Sequence, residues 1–155
     1  MGLEIERKFL VINDNWKARV ERETQIKQGY LASAQRATIR VRIEDNIGTL
    51  NIKSATQGIT RREYEYEIPM QDAEALLQNL LVGSAIEKVR HRVPFAGHVW
   101  EIDVFEGENR GLIVAEVELA SESERFEQPD WLGEEVSDDA RYYNACLADK
   151  PFTTW

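Results

Sequence analysis

Strand geometry places Glu4, Glu6 and Lys8 of the opening segment Leu3-Glu4-Ile5-Glu6-Arg7-Lys8-Phe9-Leu10-Val11 on one face and Ile5 on the other. A dry sheet face does not carry such a run of charge. Neighbouring same-face carboxylates lie roughly 6.7 Å apart and repel by about 2.5 kcal/mol at an effective dielectric of about 20 unless a cation sits between them. A divalent metal is the natural partner. The strand therefore demands a fold in which one sheet face holds water, ions and charge.

Alternating segments recur at 3–11, 24–32, 36–45, 48–55, 60–68, 85–93, 98–106 and 112–120, which predicts eight strands. The Asn/Asp cluster of Asn13-Asp14-Asn15 caps a short helix between the first and second strands. Between the fifth and sixth, Ala73, Leu76, Leu77, Leu80 and Leu81 have helical spacing over 71–82, with Gly83 as a stop. The order is strand, helix, three strands, twice over, and Glu4-Ile5-Glu6 aligns with Glu63-Tyr64-Glu65 at the start of each half, so an internal duplication is expected. Asp45-Asn46-Ile47-Gly48, Ala96-Gly97-His98 and Glu106 to Gly111 read as turns between antiparallel neighbours. The tail over 137–150 reads as a helix capped by Ser137-Asp138-Asp139, with Tyr142, Cys146 and Leu147 as its apolar stripe, covering part of the barrel.

The polar parity of these strands is charged and largely single-signed. Arg40 and Arg42 alternate with Ile39, Val41 and Ile43, and Lys53 and Asn51 with Leu50 and Ile52. Glu101 and Asp103 alternate with Trp100, Ile102 and Val104, and Glu116 and Glu118 with Val117 and Leu119. Glu63/Glu65 and Lys88/Arg90 follow the same rule. A solvated outer face explains any one pair, because antiparallel sheets commonly show one polar face to water. The shared parity argues instead for a barrel wide enough to enclose water and a ligand, with the apolar side packed under helices. Basic and acidic walls facing each other suit a polyanion that chelates a hard cation, and linear phosphates with magnesium fit that description.

At 155 residues and 43% apolar, with no linker-like stretch, the chain is read as one domain over 1–155. A net charge of −9 and a pI near 4.8 disfavour nucleic acid as a partner, because phosphate binding over a surface needs a basic face. Any polyanion site must be local and enclosed. The lone Cys146 forms no internal disulfide, and no segment reads as a signal peptide or spanning helix, so a cytoplasmic protein without membrane attachment is expected.

The chain resembles the CYTH proteins, the triphosphate tunnel metalloenzymes, and most of all their short bacterial inorganic triphosphatases. The resemblance rests on Glu4-x-Glu6-x-Lys8, Gln28-Gly29-Tyr30-Leu31, Arg40-Val41-Arg42, Lys53-Ser54, Arg61-x-Glu63-Tyr64-Glu65, Glu87-Lys88-x-Arg90, Glu101-Ile102-Asp103-Val104-Phe105, Glu116-Val117-Glu118, and Gly133-Glu134-Glu135-Val136 followed by Arg141-Tyr142. It implies an α+β fold, predominantly antiparallel β, in which eight strands close a tunnel. Glu4, Glu6, Glu116 and Glu118 then hold magnesium or manganese, and Lys8, Arg40, Arg42, Lys53, Arg61, Lys88 and Arg90 grip phosphates. Glu63, Glu65, Glu101 and Asp103 orient these cations or help hold a second metal, and Lys8 with Tyr30 is the pair proposed to activate water in similar enzymes. A lysine among carboxylates is a poor base, so phosphate binding suits Lys8 better.

The implied activity is hydrolysis of tripolyphosphate to pyrophosphate and phosphate. Thiamine or nucleoside triphosphate hydrolysis, class IV adenylyl cyclase chemistry and noncatalytic polyphosphate binding are the alternatives, and the oligomeric state is monomer or homodimer. His91, His98 and Trp100 read as ordinary structural residues, and no His or Cys spacing suggests zinc.

Overall fold

The computed structural model describes residues 2–55 and 59–155. Its strands are β1 (Gly2–Val11), β2 (Arg22–Ser33), β3 (Ala37–Glu44), β4 (Ile47–Ser54), β5 (Thr60–Ile68), β6 (Val82–Phe95), β7 (His98–Phe105), β8 (Ile113–Glu118) and β9 (Leu132–Glu135). The first eight close an antiparallel barrel in the ring order β1-β5-β4-β3-β2-β6-β7-β8 and back to β1. Exchanging β1 with β5, β2 with β6, β3 with β7 and β4 with β8 reproduces that ring, so the duplication read in the sequence is a two-fold symmetry of the topology.

The ninth strand was not foreseen. β1 uses its first half, Gly2 to Ile5, to pair with β5, and further along Phe9 and Val11 pair with the short β9. Four residues with two glutamates, Leu132-Gly133-Glu134-Glu135, give too little alternation to register as a strand; the tertiary edge of β1 orders them.

Two hairpins follow from turn chemistry. Asp45 and Asn46 (φ 53° and 61°) join β3 to β4, and Ala96 and Gly97 (φ 48° and 83°) join β6 to β7. Paired positive φ values give the turn twist that matches antiparallel strands.

The helices are shorter than their sequence patterns. The one between β5 and β6, α1, runs Met70–Asn79, begins after Pro69, and buries Ala73 and Leu77 while Leu80 is 60% exposed. Gly83 is not its cap but part of β6, where φ is +77° and a Cβ would stand 2.6 Å from Ala148 O. The segment after β1 is a 3-10 turn, Asn15–Arg19, that buries Trp16. The tail is not one helix over 137–150 but a 3-10 turn, Ala140–Tyr142, and a six-residue helix, α2 (Asn144–Asp149). Asp139 caps the turn by accepting from Arg141 N, whereas Ser137 Oγ accepts from Lys8 N and so anchors the tail to β1.

The apolar parity packs outward, but not all of it under helices. Phe9, Val93, Trp100, Ile102, Ala115, Val117 and Leu119 from β1, β6, β7 and the end of β8 meet Trp16 and Trp131, with Phe126 against them. Trp100 meets Trp131 edge-on at 5.4 Å. Each of the Val, Leu, Ile and Phe side chains contributes about 1.5–3 kcal/mol by burial. A loop thus does the covering that the pattern assigned to helices. A second cluster, Tyr30, Ile86, Phe105, Leu112, Val114, Leu147 and Ala148, fills the barrel under α2. Among the described residues no helix is long and apolar enough to cross a membrane.

Candidate active site inside the barrel

The charged parity lines an internal cavity of about 630 Å³. Ring order sorts its lining by sign. β6, β2, β3 and β4 are consecutive, and all but β2 carry cations, Lys88, Arg90, Arg40, Arg42 and Lys53; β5, β1, β8 and β7 complete the circle and carry Glu63, Glu65, Glu4, Glu6, Glu116, Glu118 and Glu101, with Asp103 buried behind the lining. Lys8 on β1 and Arg61 on β5 are the cations within the acidic half. The opposed walls expected from parity are therefore present.

Ion pairs sew the two walls together at their seams. Where β6 meets β7, Arg90 donates through Nε and Nη2 to the two Asp103 oxygens at 2.8 and 2.9 Å, and Lys88 Nζ lies 2.7 Å from Oδ2. Where β4 meets β5, Lys53 Nζ lies 3.2 Å from Glu63 and 3.0 Å from Glu4. Arg61 reaches Glu4 at 3.2 Å and Glu6 at 3.9 Å, while Arg62 beside it is exposed. Lys8 Nζ donates to Tyr142 O at 3.2 Å and lies 3.7 Å from Glu116. Tyr30 also lines the cavity. No hydrogen bond joins Lys8 to Tyr30 among the described residues.

Burial in this charged enclosure divides the acids. Burial would raise Glu116, but Lys8, Arg90 and Lys88 hold it at about 2. Glu4 is likewise held well below the carboxylate range against burial by Lys53 and Arg61, and Asp103 by Arg90 and Lys88. Glu6 goes the other way: burial, then the charges of Glu116 and Glu4, push it well up. Glu118, opposite Glu6 in the strand register, is raised by burial and by Glu4, Glu101 and Glu63. Glu101 is raised chiefly by burial. On the basic side, burial and the neighbouring arginines lower Lys88 to about 7, and burial with Arg40 and Arg90 lowers Arg42 to about 9.

Glu6 and Glu118, held up partly by other carboxylates, are oxygen donors short of a cation, and the all-oxygen set of Glu4, Glu6, Glu116 and Glu118 has the chemistry a hard divalent ion takes. Among the described residues no three acidic, His or Cys side chains already converge around one point, because Lys53, Arg61 and Lys8 draw Glu4 and Glu116 toward themselves. Both oxygens of Asp103 are taken by Lys88 and Arg90. Glu65 accepts from Asn51 at 2.7 Å.

Three polar residues outside the expected charged set stand at or behind the lining. Gln28 and Asn51 are fully buried, and Asn144 brings an amide from α2 to the cavity. Same-face position with Arg42 and Arg40 was the available signal for the first two; for Asn144 no periodicity pointed inward. His91 Nδ1 donates to Ile102 O and the ring stacks edge-on against Trp16, and His98 meets Glu124, both away from the cavity lining.

Comparison with known proteins places this architecture. The CYTH domain matches residues 2–147. The chain belongs to the CYTH family. An inorganic triphosphatase of Acetivibrio thermocellus is 43% identical over 152 residues, covering 98% of this chain and 97% of that protein. One from Nitrosomonas europaea is 36% identical over 150 residues, covering 94% and 96%. The solved structure of an inorganic triphosphatase superposes with a TM-score of 0.69 at 34% identity, covering 94% of this chain and 93% of that one.

Proposed function

We propose that this CYTH protein is a metal-dependent inorganic triphosphatase that hydrolyses tripolyphosphate to pyrophosphate and phosphate. The observation that carries the proposal is the contiguous cationic half-barrel facing a contiguous acidic half across one enclosed cavity. Full-length relatives named inorganic triphosphatase support it.

Arg40, Arg42, Lys53, Lys88 and Arg90 bind the phosphoryl oxygens, arginines as forks and lysines as point charges, and Lys8 and Arg61 approach from the other wall. Magnesium or manganese, held by Glu4, Glu6, Glu116 and Glu118, supplies Lewis-acid neutralisation of phosphate charge when bound. Asp103 and Glu63 keep their lysine and arginine neighbours aimed, so the donors need no reorganisation as charge develops on the leaving pyrophosphate. Lys8 and Tyr30 border the same space and orient the attacking water, with Lys8 serving chiefly as a donor.

The test is phosphate release from tripolyphosphate, ATP and thiamine triphosphate, with and without magnesium. Preferential, metal-dependent release from tripolyphosphate is expected; a strong preference for ATP with cyclic AMP formation overturns the assignment. Glu116→Gln should lower kcat by about 100-fold or more with a small change in KM, since it removes charge used on the metal and the reacting centre. Unchanged turnover in that variant removes Glu116 from the metal set.

A further inference from the structure

β2 stands in the middle of the cationic wall yet carries no cation facing the cavity: between Arg42 on β3 and Lys88 on β6 it presents Gln28. Gln28 is fully buried and bonded at both ends. Its Oε1 accepts from Arg42 Nε at 2.8 Å, and its Nε2 donates to Asn144 Oδ1 at 3.1 Å. Lys88 Nζ donates to the same Asn144 oxygen, also at 3.1 Å. The polarity of this chain is fixed by its ends, because neither guanidinium nor ammonium can accept. Arg42 forces the Gln28 oxygen toward β3, and the Gln28 and Lys88 donors together require an oxygen on Asn144. That oxygen is then saturated, and the Asn144 amide nitrogen is left over on a side chain that lines the cavity.

The use of amides here has an electrostatic reason. Arg40, Arg42, Lys88 and Arg90 repel one another, and Asp103 serves only Lys88 and Arg90. The carboxylate nearest Arg42 is Glu44 at 3.7 Å, a poor partner. A carboxylate at position 28 or 144 would hold these cations equally well but cancel the charge that a polyanion needs. A neutral oxygen fixes them without cancelling it.

We propose that Asn144 and Gln28 are positioning residues for the phosphate grip: they aim Lys88 and Arg42 while leaving the wall uncompensated, and through Asn144 they couple that grip to the seating of α2. This rests on the triphosphatase reading and names residues it did not include.

The experiment compares Asn144→Ala, Asn144→Asp and Gln28→Glu with the unmodified protein in tripolyphosphate kinetics, in calorimetric binding of tripolyphosphate without divalent metal, and in thermal unfolding. Removing the aim weakens binding, and adding charge weakens it further. KM and Kd should rise about tenfold in Asn144→Ala and more in Asn144→Asp and Gln28→Glu, with kcat within about threefold. Asn144→Asp should unfold at or above the midpoint of Asn144→Ala, because it retains the oxygen that accepts from Gln28 and Lys88. A purely structural role predicts the reverse ranking in binding, with Ala the worst. Binding in the acidic variants equal to that of the unmodified protein, or a loss confined to kcat, overturns the inference alone. An unmodified protein that binds tripolyphosphate without hydrolysing it overturns the triphosphatase reading, and the Kd ranking still decides the inference. One that does neither overturns both.

Discussion

Arg40 is 6% exposed, its Nε has no partner, and no carboxylate pairs with it among the described residues, unlike the other cavity cations. It is a buried charge waiting for an anion. Arg40→Met should leave stability equal or raise it by about 1 kcal/mol, measured by urea unfolding, while KM for tripolyphosphate rises about tenfold or more. A clear loss of stability would show that the fold, not the ligand, needs this charge. Asp103 has the opposite character. Its carboxylate satisfies both Lys88 and Arg90, so Asp103→Asn strands buried charge and should cost about 3–5 kcal/mol at neutral pH. The sign with pH follows from its depressed folded value: the contribution is complete above the unfolded carboxyl pKa of about 3.9 and is lost as pH falls through the lower, folded one. Urea curves of the unmodified protein and the variant should therefore converge on acidification below about pH 4 and stay parallel above it. The charged residues themselves were legible in the sequence, because strand parity alone puts them on one face. Their partners were not: that Lys53 takes Glu4 and Glu63, and Lys8 takes Glu116, depends on which strands close next to each other.

The elements divide by the strength of their local signal. Long strands with strict alternation and the Asp45-Asn46 turn announce themselves, because side-chain period and positive φ are local requirements. Ala96 is the exception among the turn residues. It holds φ 48° without the side-chain hydrogen bonding that lets Asn or Asp tolerate that region, at a cost of roughly 1 kcal/mol. Ala96→Asn, which makes an Asn-Gly turn between β6 and β7, should raise unfolding stability by about 0.5–1 kcal/mol, and a lower thermal midpoint would show that the alanine is needed there. The tail behaves differently. Its apparent helical pattern over 137–150 yields only six helical residues, because Ser137 is committed to β1 and Tyr143 to Ser137 O before the helix can start. Long-range contacts, not propensity, set those boundaries. The same holds for β9 and for the loop around Phe126 and Trp131, which covers Trp100 in place of a helix.

At the scale of the whole molecule, apolar packing and charge are kept apart: one apolar cluster lies on the outer face of the sheet and the other closes one end of the barrel interior. The outer cluster around Trp100 and the plug around Ile86 and Leu147 are built from apolar side chains, of which Tyr30 alone also borders the cavity among their buried members. Divalent cations should accordingly matter to turnover far more than to folding: chelation with EDTA is expected to abolish phosphate release while the thermal midpoint moves by no more than about 3 °C. A collapse of the fold on chelation would mean that the carboxylates cannot tolerate each other without a metal. What the sequence determined by itself is the two-faced character of the eight barrel strands, the repeated strand-helix-three-strand order and the chemical class of the lining, because each is a matter of local period and residue type. What only the tertiary structure decided is the circular order of strands. Closure brings β5 against β1 and β2 against β6, and thereby gathers the three basic strands β6, β3 and β4, with the uncharged wall of β2 among them, into one half and four acidic ones into the other. Hydrogen bonds between distant segments select that arrangement, and so the amide bridge from Gln28 to Asn144, 116 positions apart, has no trace in any local pattern.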